Sequence, residues 1–142
     1  MPQSYWLVKT EPSEFSFDDL LRDGVTVWDG VRNHQAKKNL MAMAIGDWVL
    51  LYHSVTEKAV VGLAKVSKAA YADPTDNPDE RWQVVEIEPV KPFHTRVTLA
   101  MIKATATLAE IPLIRQSRLS VMPLSARDFD TLLALAETTL PS

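Results

Sequence analysis

Two segments decide the fold of this 142-residue chain: Val27-Trp28-Asp29-Gly30-Val31-Arg32-Asn33 and Gly46-Asp47-Trp48-Val49-Leu50-Leu51-Tyr52-His53-Ser54. The first places a Trp beside a Gly turn, with Arg and Asn next along the chain. The second predicts a buried strand whose last residues are aromatic and polar. A pocket for one planar heterocycle needs flat rings for stacking and short polar side chains that recognise the edge of the ring. The same residues are also compatible with a packed core Trp and a polar strand end.

The composition is that of an ordinary globular chain, and it excludes several classes of protein. The length predicts one domain over residues 1–142, and 46% hydrophobic and 23% charged residues are normal fractions for a globular chain. The net charge of −3 argues against a protein that coats nucleic acid by bulk charge, but not against a local basic face. The absence of cysteine excludes disulfides and thiol chemistry. No segment predicts a membrane span or a signal peptide, so we expect a cytoplasmic protein.

Periodicity and turn signals predict five or six short strands with short helices between them. The expected strands are Ser4–Lys9, Val25–Trp28, Trp48–His53, Ala59–Tyr71, Trp82–Glu88 and Arg118–Leu124. Four helices are expected: one that begins after Ser16, one over residues 34–44 after Asn33, one over Val97–Ala104 and one that begins after Ser125. Pro89 and Pro92 are expected to end the fifth strand, and Ala72–Arg81 is expected to be an exposed loop. Because strands and helices do not alternate regularly, the class is α+β: a small mixed β-barrel flanked by short helices.

Little in the sequence indicates metal or hydrolase chemistry. His34, His53 and His94 lie far apart and have no Cys partners, so no metal site and no cofactor are predicted. Ser54 follows His53 directly, and neighbouring strand residues point to opposite faces, which argues against a Ser–His hydrolase. His53 could hold a pocket side chain or could equally be a hydrogen-bonded core histidine.

One short cluster leaves an enzymatic alternative open. Lys9, Thr10 and Glu11 combine an amine, a hydroxyl and a carboxylate, which could support acyl transfer to a bound base. The chain would then be a small amidohydrolase acting on an acylated cytidine. The simpler interpretation of the three residues is a solvated strand end. A protein-interaction module is a third alternative, and it predicts an exposed apolar patch without an aromatic pocket.

Basic residues occur in stretches without acids. No acidic residue lies between Asp29 and Asp47, a stretch that contains Arg32, Lys37 and Lys38. A second such stretch, between Glu110 and Asp128, contains Arg115 and Arg118. Arginine suits bidentate contacts with phosphate. The residues that could form a face gripping a nucleic-acid backbone are Arg32, Lys37, Lys38, Arg115 and Arg118.

At this point the motifs match a known family. The matching pieces are Tyr5-Trp6-Leu7-Val8-Lys9-Thr10-Glu11-Pro12, Trp28-Asp29-Gly30-Val31-Arg32-Asn33-His34-Gln35-Ala36, Tyr52-His53-Ser54, Gly62, Ala70-Tyr71-Ala72-Asp73-Pro74-Thr75, Trp82 and Arg118-Leu119-Ser120-Val121-Met122-Pro123-Leu124. These pieces span nearly the whole chain and occur in the order that the family has. Through these motifs the chain resembles the EVE domain family. The resemblance implies a PUA-like fold related to YTH domains, and a non-catalytic reader of modified nucleobases.

The resemblance also implies roles for individual residues. The ligand would be a modified base, chiefly a modified cytosine, flipped from DNA or RNA with DNA favoured. Trp28 would be a wall of the base pocket, Asn33 would read the edge of the base, and the pocket would further be lined or supported by Trp6, Tyr52, His53 and Ser54. Lys9, Arg32 and Arg118 would contact the nucleic-acid backbone. This sequence departs from the family at His34, where many members have Tyr, and in the short segment Thr75–Trp82. The sequence does not indicate an oligomeric state.

Overall fold

Strand β3 (Trp48–His53) lies inside the sheet of the computed structural model, which describes residues 3–75 and 81–141, and all six of its residues are buried. The other strands are β1 (Tyr5–Thr10), β2 (Thr26–Trp28), β4 (Ala59–Ala72), β5 (Gln83–Thr98) and β6 (Val121–Leu124). They form one six-stranded sheet in the order β2-β5-β4-β3-β1-β6. β1 runs parallel to β3, and the other neighbouring pairs are antiparallel.

The predicted class is confirmed: the fold is a mixed sheet of six strands flanked by short helices. The helices are α1 (Phe17–Asp23), α2 (His34–Ala42), α3 (Leu99–Ala104), α4 (Pro112–Arg115) and α5 (Ala126–Leu135). In the described residues no hydrogen-bond ladder joins the end strands β2 and β6, so the barrel is open. None of the helices in this part of the chain is long and apolar enough to cross a membrane.

Three of the four predicted helix starts are confirmed by their capping contacts. Ser16 and Asp19 form a reciprocal capping box at α1. The Asn33 side chain accepts a hydrogen bond from the Ala36 amide at 2.9 Å, which fixes the first turn of α2. Ser125 accepts from the Asp128 amide at 3.0 Å and caps α5. Short polar side chains at these positions therefore set the helix boundaries, as local sequence signals should.

Strand β5 is longer than the sequence predicts. The expected end at Pro89 and Pro92 is wrong, because the strand continues through both prolines as far as Thr98. Pro89 lies opposite Ala64 and Pro92 lies opposite Gly62, and the register shifts beside each of these pairings. A strand tolerates proline where its ladder is irregular, because no regular hydrogen bond then needs the missing N–H. The prolines mark bulges in a long strand and do not end it.

Two elements begin two or more residues later than predicted. The third helix begins at Leu99, two residues later than Val97, because Val97 and Thr98 still pair with β4. The last strand begins at Val121, three residues after Arg118. The loop expected over 72–81 includes residues 76–80, which lie outside the described residues.

Gly62 lets helix α1 pack closely on the sheet. A Cβ atom at this position would overlap the Phe17 ring, the first residue of α1. Phe17 is buried and belongs to the main hydrophobic core. The bulge at Gly62 and the absence of a side chain there fix the position of α1, and with it the segment that precedes the helix.

Candidate functional site

A cavity of about 720 Å³ opens where four separated stretches of the chain meet. Its lining is Lys9, Thr10, Glu11, Glu14, Phe15, Thr26, Val27, Trp28, Asp29, Gly30, Val31, Ser54, Ser117, Arg118 and Ser120. Pockets of 300–1,000 Å³ commonly enclose a small-molecule ligand. The volume of the cavity therefore lies within the range of small-molecule sites.

The sheet brings these stretches together at the carboxyl end of β1. The Ser54 amide, directly after β3, donates to the Thr10 carbonyl at 2.9 Å. The Lys9 amide donates to the Ser120 carbonyl, just before β6, also at 2.9 Å. Because β1 and β3 are parallel, their carboxyl ends lie at the same edge of the sheet, and the residues there line the cavity.

Trp28 forms one wall of the cavity. It is the last residue of β2 and is only 8% exposed, so most of its indole packs in the core. The Phe15 ring meets the indole edge-on, with centroids 6.0 Å apart and planes at 82°. Gly30, at φ +77°, lines the cavity in a backbone conformation that favours glycine. The two rings and this turn give the cavity a rigid aromatic side.

Charged groups of both signs also line the cavity. The Lys9 ammonium donates to the Ser117 carbonyl at 2.7 Å, and burial lowers the pKa of Lys9. The exposed Arg118 guanidinium makes no ion pair or hydrogen bond within residues 3–75 and 81–141. The carboxylates that line the cavity are also unpaired within those residues: Glu11, Glu14 and Asp29. The cavity therefore offers cations for a phosphate and acceptors for an amino group.

The structure brings four of the predicted site residues to this cavity and leaves three aromatic ones elsewhere. Trp28, Ser54, Lys9 and Arg118 line it, whereas Trp6, Tyr52 and His53 are buried and are not among its lining residues. The Trp6 indole N–H donates to the Asp47 carboxylate at 3.0 Å. Trp6 lies near the start of β1, about 10 Å along the strand from Lys9 at 3.3 Å per residue, which explains its distance from the cavity.

His53 connects the sheet to helix α1. Its Nε2 accepts from the Phe17 amide at 3.1 Å, and its Nδ1 lies 2.6 Å from Glu57 Oε1. Glu57 also pairs with Arg96. Burial is the main cause that lowers the pKa of His53, with the Arg96 charge adding to it. A neutral ring that donates through Nδ1 and accepts through Nε2 satisfies both contacts. His53 thus supports the segment that carries Phe15 without touching the cavity.

The remaining predicted residues lie outside the lining of the cavity. Asn33 has its side-chain oxygen engaged in capping α2. Lys38 is exposed on the same helix. Arg115, on α4, is paired with Glu110. Their predicted contacts with a base or a backbone stay predictions.

Arg32 and Lys37 belong to a second group, which we call the Trp82 cluster: Arg32, His34, Lys37 and Trp82. The Arg32 and Lys37 charges lie 5.4 Å and 5.7 Å from the indole centroid of Trp82. The His34 ring stacks on the same indole at 5.0 Å and 26°. Arg32 also lies 3.6 Å from the buried Asp73 carboxylate. Hydrogen bonds from Thr75 are the main cause that lowers the pKa of Asp73, and Arg32 contributes further.

The alternative cluster Lys9, Thr10 and Glu11 does line the cavity, but no hydrogen bond or ion pair joins its side chains. The Thr10 hydroxyl donates to the Phe15 carbonyl at 2.8 Å, and the Lys9 ammonium donates to Ser117. A nucleophile needs a base within hydrogen-bond reach of its proton. In the part of the chain that the structure describes, no group of three or more His, Cys, Asp or Glu residues is placed to hold a metal ion.

Sequence comparison agrees with this fold. The profile of the EVE domain matches residues 4–135. Human thymocyte nuclear protein 1 is 34% identical over 94% of this chain and 74% of its own length. The chain therefore belongs to the EVE domain family.

Two solved structures are informative. A crystal structure of human thymocyte nuclear protein 1 in complex with 5-methylcytosine-containing DNA has 33% identity and a TM-score of 0.87, covering 97% of this chain and 100% of that one. The YTH domain of a Zygosaccharomyces rouxii protein, in complex with N6-methyladenosine RNA, has 13% identity and a TM-score of 0.61, covering 99% of this chain and 90% of that one. The second similarity shows the fold alone.

Proposed function

We propose that this protein is a non-catalytic reader of nucleic acid that carries a modified base, with the flipped base held in the cavity beside Trp28. The observation that carries the proposal is the cavity itself, in which an indole wall and two cations meet. A relative with 33% identity has been solved with 5-methylcytosine DNA, which favours modified cytosine and DNA. RNA with the same base is the second candidate ligand.

The chemistry of the lining supports this ligand. An aromatic wall can stack on any base, and stacking is worth about 1–3 kcal/mol per base. The amino group of cytosine is a donor that a carboxylate can accept, and Glu11, Glu14 and Asp29 are available for this. Lys9 and Arg118 are the cations among the lining residues, and in this proposal they contact the phosphate of the flipped nucleotide. The role of Trp28 as a base-stacking wall is part of the proposal.

Binding of matched oligonucleotides tests the proposal. Two single strands that differ only in one 5-methylcytosine are titrated against the wild type, Trp28→Ala and Trp28→Phe, and each variant is first checked by thermal melting. We expect the wild type to prefer the modified strand, Trp28→Ala to weaken binding by about 1–3 kcal/mol and Trp28→Phe to retain most of it. Equal binding of both strands by the wild type would refute modified-base recognition.

A matched pair of arginines controls for general charge. Arg118 lines the cavity, whereas Arg127 is exposed on α5 and does not. We expect Arg118→Ala to weaken binding of both strands and Arg127→Ala to leave it unchanged. Equal losses in the two variants would mean that attraction by net charge, and not a site, holds the strand.

The hydrolase is the second candidate, favoured only by the presence of Lys9, Thr10 and Glu11 in one cavity. Its test is product release: the wild type is incubated with N4-acetylcytidine and acetate is measured. We expect no acetate above the buffer control. Release that is abolished by Thr10→Ala would support the enzyme and contradict the reader.

A further inference from the structure

The His34 ring in the Trp82 cluster is an exposed aromatic surface with a rigid support. His34 is the first residue of α2 and is exposed, while Trp82 beneath it is only 9% exposed. Their centroids are 5.0 Å apart with planes at 26°, a stacked arrangement. The Trp82 carbonyl accepts from the Asp73 amide at 3.0 Å, which helps to fix the backbone beneath the ring. The imidazole is therefore held in place before any ligand arrives.

The charges around this ring suit a polyanion. Lys37 lies 5.7 Å from the Trp82 centroid, one turn of α2 beyond His34, and Lys38 beside it is exposed. Residues 30–46 contain no Asp or Glu. The Arg32 charge adds to this positive potential even though it is also paired with Asp73. A flat ring surrounded by cations is the combination that binds single-stranded nucleic acid, with bases stacked and phosphates neutralised.

The cluster adjoins the cavity. Val31 lines the cavity, and its carbonyl accepts from Arg32 Nη1 at 3.0 Å. Only three residue steps separate Val31 from His34, a span of at most about 11 Å. A strand whose flipped base occupies the cavity can therefore place the next nucleotide or two over His34.

The geometry points to a second subsite: the base adjacent to the flipped nucleotide stacks on His34 while Lys37 and Lys38 contact its phosphates. This rests on the proposed function, because it needs a nucleotide in the cavity. Every base has a flat face, so the subsite contributes affinity for a strand and not selectivity for the modification.

The test compares a strand with a single nucleotide. The ligands are 5-methylcytidine monophosphate and a nine-nucleotide single strand with a central 5-methylcytosine. The proteins are the wild type, His34→Ala, His34→Phe and the control His94→Ala, which removes an exposed histidine from β5. We expect His34→Ala to weaken binding of the strand about 5- to 150-fold, the range that corresponds to one stacked base, and to leave binding of the monophosphate unchanged. His34→Phe and His94→Ala should bind the strand within about threefold of the wild type.

Abasic strands identify the contact. In two further strands the base on the 5′ or the 3′ side of the 5-methylcytosine is removed. One of these two removals should weaken binding by the wild type. The same removal should have little effect on binding by His34→Ala, because that variant already lacks the ring on which the base stacks.

The outcomes separate the subsite from the proposed function. If the wild type binds both ligands and His34→Ala matches it on the strand, or loses both ligands equally, the subsite is refuted and the reader stands. If the wild type binds neither ligand, the reader is refuted and the subsite with it.

Discussion

Replacing Asp47 tests whether a buried carboxylate, remote from the cavity, holds the start of the sheet together. Asp47 is 4% exposed, and its two oxygens accept three hydrogen bonds. Oδ1 accepts from the Ser4 amide at 3.1 Å. Oδ2 accepts from the Trp6 indole at 3.0 Å and from the Ala44 amide at 2.9 Å. Asp47→Ala would leave all three donors without this partner.

The size of the effect follows from the burial of the donors. A buried donor that loses its partner costs about 1–3 kcal/mol, and the Trp6 indole falls in this class. The Ser4 and Ala44 amides are only partly buried, so water can replace the carboxylate and each costs about 1 kcal/mol. We therefore expect Asp47→Ala to lower the free energy of unfolding by about 3–5 kcal/mol. At this chain length the melting temperature should fall by about 10–20 °C.

Urea unfolding of four proteins measures this. They are the wild type, Asp47→Ala, Trp6→Phe and the double variant. Trp6→Phe removes one donor and keeps an aromatic ring, so the double variant should lose about 1 kcal/mol less than the sum of the two single losses. A loss under 1 kcal/mol for Asp47→Ala, or strictly additive losses, would refute the reasoning.

Three other predictions concern Gly62, His53 and Arg118. Gly62→Ala should lower the free energy of unfolding, measured with urea, by about 1–3 kcal/mol, because the added methyl group displaces the Phe17 ring. The same loss of stability in a Phe17→Leu background would contradict this. Burial lowers the pKa of His53 in the folded protein, so the unfolded chain binds the proton more tightly. The stability of the wild type relative to His53→Gln should therefore be full above about pH 6.5 and decline as the pH falls below it; parallel stability curves would refute this. Arg118→Ala should reduce the slope of log affinity against log salt by about one, and an unchanged slope would exclude a phosphate contact.

Local signals predicted the parts of the fold that local physics determines. Ser16 and Asn33 marked helix starts correctly because a cap needs only a short polar side chain and the next three amides. The prediction that Pro89 and Pro92 end β5 is wrong, because the strand tolerates these prolines only through its irregular pairing with β4. That pairing is a tertiary property, and single-strand patterns do not contain it.

The candidate site was harder to predict because four distant stretches form it. Trp28 and Arg118 carried recognisable signals, but Phe15 and Ser117 reach the cavity only through the packing of α1 and the start of β6. Trp6 and His53 are expected at the pocket because their positions match motifs of the EVE domain family. The structure shows their polar atoms occupied by Asp47, Phe17 and Glu57, a pairing that no spacing in the sequence indicates.

The most direct measurement uses the indole N–H resonances of the four tryptophans, each assigned by substitution. A single strand containing one 5-methylcytosine is titrated into the protein. If the base enters the cavity, the Trp28 resonance should shift and saturate with the binding curve, while that of Trp6, bound to Asp47, stays in place. A saturated complex in which the Trp28 resonance has not moved would contradict the central claim.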